Sequence, residues 1–582
     1  MKKASKTTVA ERARWRSVLL LVGFAFCAAA LEGRILYLQL VDRDFLAEQA
    51  NDRHLRTVQI SAHRGTLTDR YGEPLAVSTP VDTVYANPKG LKSALDRLGE
   101  LATALEVDDE WLARRITSNL DRDFVFLERR VPPATAQQVL DLELPGVGTV
   151  REFRRYYPAG EVAGHVVGFT DIDDKGQEGL EAAFDHWLKG EPGSKQVLQD
   201  RRGQVFDDVK LLRSARPGRD LRTSIDLRLQ YLAYRELKSV VTDSGARSGT
   251  VVVLDPRTGE VLAMVNQPSH NPNADRSEYR PDTYRNRAVT DPFEPGSSFK
   301  PLVMAAALES GAFSPRTPID TSGAISINNR VITQDPQDYG RVDLTTVLAK
   351  SSNVGMTRMA LTLPPESMRH TLTAFGFGEV TGSGFPGESA GMLNESKYWK
   401  RIGQATISYG YGLSVTPLQL AHAYATIGAY GVSRPVTLRR VEGDVEGVRA
   451  VDERVARELI EMMENVVSQE GTAKRAALNG YRVAGKTGTA WKAAAGGYGT
   501  QENRKYTATF GGVVPASRPR LAAIVVIDEP GGDVYYAGDV SAPVFANVMA
   551  GALRLMGVPP DGLERLPNAT FAQAPMGTVR GR

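Results

Sequence analysis

The chain has 582 residues, enough for roughly three to four domains. Hydrophobic residues make up 42% and charged residues 24%, which excludes a disordered or fibrous chain. A net charge of +3 gives no broad nucleic-acid surface, and the single cysteine, Cys27, excludes an internal disulfide and a cysteine-rich zinc site.

The first 14 residues read as a cytoplasmic tail, in which Lys2, Lys3, Lys6, Arg12 and Arg14 oppose only Glu11. By the positive-inside rule this end stays in the cytoplasm and the remainder is exported. Residues 17–31 carry no charge and span about 22 Å as a helix, short of a bilayer, and Ala28-Ala29-Ala30 resembles a cleavage site, so a signal peptide is the alternative. Apolar residues continue from Ile35 to Leu40, and a retained transmembrane helix over residues 15–40, with Arg34 snorkelling to the outer interface, is the preferred reading.

Residues 41–217 are polar, with a strand expected over 57–61 and a helix over 91–105. Arg64-Gly65, Asp69-Arg70-Tyr71-Gly72 and residues 160–179 read as turns with local ion pairs. The texture changes near Pro217, and residues 218–558 read as a second domain. Residues 250–255 and 260–265 form a hairpin around Pro256-Arg257-Thr258-Gly259. A second strand pair is expected over 506–514 and 521–528, and a closing helix over 541–556. These strands enclose a helical middle, which points to one sheet. Residues 559–582 lack any period and read as a flexible tail.

Ser297 and Lys300 precede the apolar run 301–308, which places both in the first turn of a helix and on one face. A serine hydroxyl needs a base, and a neutral lysine in hydrogen-bond reach supplies one. The helix N-terminus lowers the lysine pKa and points N–H groups at developing negative charge. A lone Ser-x-x-Lys arises by chance in a chain this long, and Ser351-Ser352-Asn353 or Lys486-Thr487-Gly488-Thr489 alone would be a helix cap or a strand end. All three in this order form a set that none forms singly.

With these motifs the chain resembles the penicillin-binding proteins and serine β-lactamases. The resemblance implies an α+β fold, an antiparallel sheet with helices on both sides, standing on an elongated N-terminal pedestal behind a single membrane helix. It implies that Ser297 is the nucleophile, Lys300 its base, and Ser351 and Asn353 a proton relay and substrate wall. Lys486 and Thr487 would hold the substrate carboxylate, and Gly488 would leave room for a peptide along the strand. The N–H groups of Ser297 and Thr489 would form the oxyanion hole. Tyr409 and Tyr411 read equally as packing or as substrate contacts.

Arg64-Gly65-x-x-x-Asp69-Arg70-x-Gly72 resembles the pedestal motif of class B penicillin-binding proteins. Phe375-Gly376-Phe377-Gly378, residues 384–388 and residues 409–419 resemble the septal members of that class in Gram-negative bacteria. That resemblance implies a D,D-transpeptidase that needs no metal or organic cofactor, is acylated by β-lactams, and crosslinks stem pentapeptides at the division septum with release of D-Ala. It places the catalytic domain on the periplasmic side of the inner membrane, beside a glycosyltransferase of the FtsW type and other division membrane proteins, with Arg64, Asp69 and Arg70 shaping that contact. A β-lactam receptor without turnover, a division scaffold and an elongation-type transpeptidase are the rival readings.

Overall fold

The computed structural model describes residues 9–41, 55–199, 205–275, 280–493, 497–498, 504–532 and 534–562. They fall into two compact units: one holds the described residues up to Ala62 with Pro80–Arg154 and Glu191–Arg216, the other His63–Thr79, Arg155–Gly190 and the described residues from Pro217 on.

The first unit opens with helix α1 (Val9–Leu40), in which Arg14–Leu40 has a mean hydropathy of 1.9 and none of its apolar window is buried. It is long and apolar enough to cross a membrane and takes in the span expected at 15–40. Strands Leu55–Ile60, Gly193–Gln199 and Val205–Arg213 form an antiparallel sheet, so the strand expected at 57–61 is present. A small separate core gathers Leu101, Leu105, Leu112, Ile116, Leu127 and Val139. The helix expected over 91–105 is interrupted, with a 3-10 turn at Lys92–Arg97 ahead of the α-helix Leu98–Leu105. The break is a kink at Ala94, whose φ −136 and ψ 29 are not helical and which turns its side chain into the core.

The second unit is built on a five-stranded antiparallel sheet. Helix α2 (Leu227–Asp243) is capped by Asp226 and leads into the hairpin of β1 (Ser248–Leu254) and β2 (Val261–Gln267). After a helical region containing α3 (Lys300–Glu309), α4 (Asn353–Ala360), α5 (Pro417–Gly428) and α6 (Glu453–Val467), the chain returns as β3 (Ala484–Trp491), β4 (Tyr506–Val514) and β5 (Leu521–Asp528). Helix α7 (Ala537–Leu555) closes the unit, beginning four residues before the expected start at 541. The strand order is β2-β1-β5-β4-β3, which leaves β3 at an edge. Every residue of β1 and β2 is buried, because α2 and α7 cover one face of the sheet while α5 and α6 cover the other. Residues Lys300 to Leu308 of α3 are buried all round, which accounts for an apolar run with no polar stripe.

The turns at residues 64–72 belong to this second unit, and their charged groups are spent inside it. Arg64 is 2% exposed and gives Nε to Glu181 Oε2 and Nη1 to Asp185 Oδ1, each at 2.7 Å, while Arg155 Nε meets the other oxygen of Glu181 at 2.6 Å. Asp69, also buried, accepts from the N–H groups of Tyr71 and Glu73 at 2.7 and 2.9 Å. Arg70 reaches Glu260 at 3.3 Å. Arg64 and Asp69, expected to shape a partner-facing surface, are interior instead, and all three residues hold segments of this second unit together. The tail expected from residue 559 begins later, since Asp561 accepts from Arg482 N at 2.7 Å and from Ser517 Oγ at 2.6 Å, and residues 563–582 lie outside the described residues.

Removing one partner from a buried ion network leaves the others desolvated and unpaired. Arg64→Met should therefore cost about 3–5 kcal/mol in denaturant unfolding of the region that follows α1. Arg151→Met, which breaks a pair with Asp82 whose arginine is 62% exposed, should cost less than about 1 kcal/mol.

Candidate active site

Ser297 lies in a 3-10 turn, Gly296–Phe299, which runs directly into α3 at Lys300, with Pro301 in the helix's first turn where its missing N–H costs little. Ser297 therefore sits in a 3-10 turn ahead of the helix and Lys300 is the helix's first residue, where the sequence pattern predicts both in the first helical turn. Ser297 is part-exposed between buried Gly296 and Ser298. Gly296 has φ +54, and its N–H donates to Gly410 O at 3.0 Å. A side chain on Gly410 would stand 2.0 Å from Gly296 O, so the Tyr409-Gly410-Tyr411 segment is glycine-centred because its backbone must touch the residue before Ser297.

Lys300 is fully buried and directs its ammonium nitrogen at the next motif, donating to Ser351 O at 2.5 Å, Asn353 Oδ1 at 2.7 Å and Ser351 Oγ at 3.1 Å. Lys486, also fully buried on the edge strand β3, donates to the same Ser351 hydroxyl at 3.0 Å. One hydroxyl thus stands between two lysines. Burial, and then the charge of Lys486, hold Lys300 well below the ordinary lysine value, with Asp335 pulling weakly the other way. Burial brings Lys486 down to about 7. Two buried ammonium groups this close cannot both keep their charge cheaply.

Ser351 has φ +58, in the left-handed region, an unfavourable conformation for a residue with a side chain. It is held there from both sides. The Ser351 and Ser352 N–H groups bond back to Leu348 O and Val347 O, and Asp335 accepts from Asn353 N at 2.7 Å and from the Ser352 hydroxyl. Asp335 so acts as a carboxylate at the N-terminus of α4, where the helix favours negative charge. It went unassigned in the sequence because it arrives from an irregular loop at no characteristic spacing.

On β3, Thr487 is 8% exposed and shares a hydrogen bond of 2.9 Å with the Thr472 hydroxyl, while Thr489 Oγ1 accepts from Ala537 N at 3.0 Å. Gly488 departs from its expected reason. A Cβ there would stand 2.7 Å from Ser298 N and 2.8 Å from Pro295 O, so the missing side chain lets the strand lie against the Ser297 turn. Tyr409 is 7% exposed, with its hydroxyl donated to Ile332 O at 3.4 Å, which favours the packing half of its two readings. Tyr411 accepts from Trp491 N at 2.8 Å and stacks edge-on with Tyr498, whose hydroxyl reaches Glu294. Tyr498 and Glu294 also had no motif to mark them.

The comparisons agree with this geometry. Residues 249–550 match the penicillin binding protein transpeptidase domain, and residues 59–223 the penicillin-binding protein dimerisation domain. The chain is 44% identical over 575 residues to the peptidoglycan D,D-transpeptidase FtsI of Escherichia coli K12, covering 97% of each chain. It is 39% identical to the probable peptidoglycan D,D-transpeptidase PbpC of Pseudomonas aeruginosa, covering 96% of this chain and 98% of that one. Among solved structures it resembles the transpeptidase domain of Burkholderia pseudomallei penicillin-binding protein 3, with 40% identity, a TM-score of 0.53, and coverage of 58% of this chain and 97% of that one. With the three motifs gathered on one helix start, one left-handed turn and one sheet edge, the chain belongs to the penicillin-binding protein transpeptidase family.

Proposed function

We propose that the chain is a membrane-anchored peptidoglycan D,D-transpeptidase that works through an acyl-enzyme on Ser297. The observation that carries this reading is the Ser351 hydroxyl held between the buried amines of Lys300 and Lys486. As a neutral amine, Lys300 takes the Ser297 proton while Oγ attacks the penultimate D-Ala carbonyl of a stem pentapeptide. The oxyanion settles on the N–H groups of Ser297 and Thr489. Lys486, as the cation, and Thr487 hold the terminal carboxylate. Ser351 relays a proton to the departing D-Ala amine, and Asn353 keeps Lys300 aimed. Strand β3 is an edge, so its free side accepts a stem peptide by strand addition, with Gly488 lending backbone alone and Tyr409 backing the cleft wall. An amine of a neighbouring stem, the side-chain amine of diaminopimelate, then attacks the acyl-enzyme; water in its place gives carboxypeptidase activity.

Fluorescent penicillin followed by peptide mapping should label Ser297 alone, and folded Ser297→Ala protein that still formed a stable adduct would overturn the assignment. Lys300→Ala should acylate about 100- to 10,000-fold more slowly. The pH profile of acylation has two limbs with opposite signs. Activity falls as pH drops through the lowered pKa of Lys300, because the base is protonated, and falls again as pH rises through about 7, where Lys486 loses its charge.

The apolar helix α1 behind a basic head supports a retained anchor with the catalytic unit outside the cytoplasmic membrane. Intact-mass measurement of purified full-length protein should find the segment uncleaved; a mature N-terminus at Leu31 contradicts it.

The identity with FtsI over nearly the whole chain, together with the segments around Gly376, Gly387 and Gly410, supports work at the division septum. A glycosyltransferase of the FtsW type would be its partner there, supplying the glycan that class B enzymes do not polymerise. Depletion in the native host should give long filaments with undivided septa, whereas spherical cells that septate normally indicate an elongation enzyme.

A further inference from the structure

The turn that carries Ser297 contains a carbonyl with an unusual supply of donors. Ser298 O stands ahead of the first residue of α3, and the residue three positions on, which would close a 3-10 bond to it, is Pro301, which has no N–H. The preceding carbonyl is served normally, since Lys300 N donates to Ser297 O. Phe299 caps α3 and its carbonyl is the first that the α-helical ladder takes up, so Ser298 O lies one residue outside that ladder and, being fully buried, would carry a full desolvation cost without another donor. The donor comes from another helix: the Tyr424 hydroxyl, on α5, reaches Ser298 O at 2.8 Å.

The surroundings of Tyr424 are shaped for this contact. The side chain is fully buried, and its ring occupies space that β4 clears by having glycine at position 511, where a Cβ would stand 2.7 Å from Tyr424 Cζ. Gly511 is the register partner of Lys486 on β3, so the ring passes beside the strand pair that presents the second catalytic lysine. The turn is also clamped by Ser298 Oγ donating to Pro295 O at 2.7 Å and by β3 lying against Ser298 at Gly488. Of these constraints only the phenol comes from α5, and it holds the Ser298–Phe299 peptide plane inside the nucleophile's turn, one residue before the helix that begins with its base.

We propose that Tyr424 is a positioning residue of the transpeptidase reaction, its hydroxyl replacing the N–H that Pro301 cannot give and so holding Ser297 at the angle from which Lys300 can take its proton. The inference rests on the Ser297 reading above.

The test is a double-mutant cycle on the full chain, read as the acylation rate constant and the pre-acylation dissociation constant for fluorescent penicillin. Tyr424→Phe keeps the ring and removes the donor. It should slow acylation about tenfold or more, since small misalignments of a nucleophile are costly, while the dissociation constant changes less than about twofold. Pro301→Ala restores an N–H three residues after Ser298, so adding Tyr424→Phe in that background should slow acylation by less than about twofold, a non-additivity that general loosening of the core would not produce. Wild-type acylation by Tyr424→Phe, or an equal loss in both backgrounds, overturns the proposal. Should Tyr424→Phe alone not fold, Pro301→Ala with Tyr424→Phe against Pro301→Ala carries the test: recovery of folding and acylation supports it, and a loss of tenfold or more defeats it. Failure of the Ser297 reading looks different, as label retained by Ser297→Ala, and overturns both.

Discussion

Two lysine side chains meet on the hydroxyl of Ser351, with no exposed surface of their own, and most of the catalytic unit is organised to make that meeting tolerable. An ammonium buried without partners costs several kcal/mol, so each lysine must be either satisfied or neutral. Lys300 is satisfied by three oxygens of the Ser351–Asn353 turn. Lys486 is satisfied by Ser351 and by its neighbour Thr487. What the pair lacks is enough negative charge for two cations, and a lysine that gives up its proton there is what the proposed Ser297 nucleophile would need as its base.

That demand propagates outward as backbone contacts. Ser351 must sit at positive φ to turn both its carbonyl and its hydroxyl toward Lys300, and Asp335 anchors the turn that keeps it there. The edge strand must lie within touching distance of the Ser297 turn for Lys486 to reach Ser351, which only a glycine at 488 permits. On the other side of that turn, Gly410 lets a loop backbone press against Gly296. The glycines are therefore parts of the catalytic geometry although none has a side chain to react, because the distances between the three motifs are set by how closely main chains can approach.

The boundary between the two units in space does not follow a single cut in the chain. Residues 63–79 and 155–190 belong with the catalytic sheet, held there by the Arg64, Glu181, Arg155 and Asp185 network. A dense interior ion network of this kind is sensitive to loss of any one member and says little about partner binding. It assigns the charge pattern around Arg64 to internal cohesion.

The chain order of Ser297-x-x-Lys300, Ser351-x-Asn353 and Lys486-Thr487-Gly488 carried the family resemblance, and with it the proposed chemistry, because the three motifs together form a set that none forms singly. The strands over 506–514 and 521–528 and the hairpin at 250–265 were legible because short apolar runs rich in β-branched and aromatic residues, bounded by turn residues, have few other folds open to them. The 3-10 break at Lys92–Arg97 and the early start of α7 were not, because packing against neighbours overrides local pattern at element ends. Asp335, Glu294, Tyr424 and Tyr498 left no trace in spacing: each comes from a segment whose route to the site is decided by the packing of the whole unit. The same holds for Gly488, whose meaning reversed once the sheet was assembled. Sequence specifies which groups react, since reactivity is a property of side-chain type and near neighbours. Tertiary structure alone decides which carbonyl needs a distant donor, which lysines share a hydroxyl and which glycine is touched, because those depend on residues as far as 135 positions apart being brought within a hydrogen bond of each other.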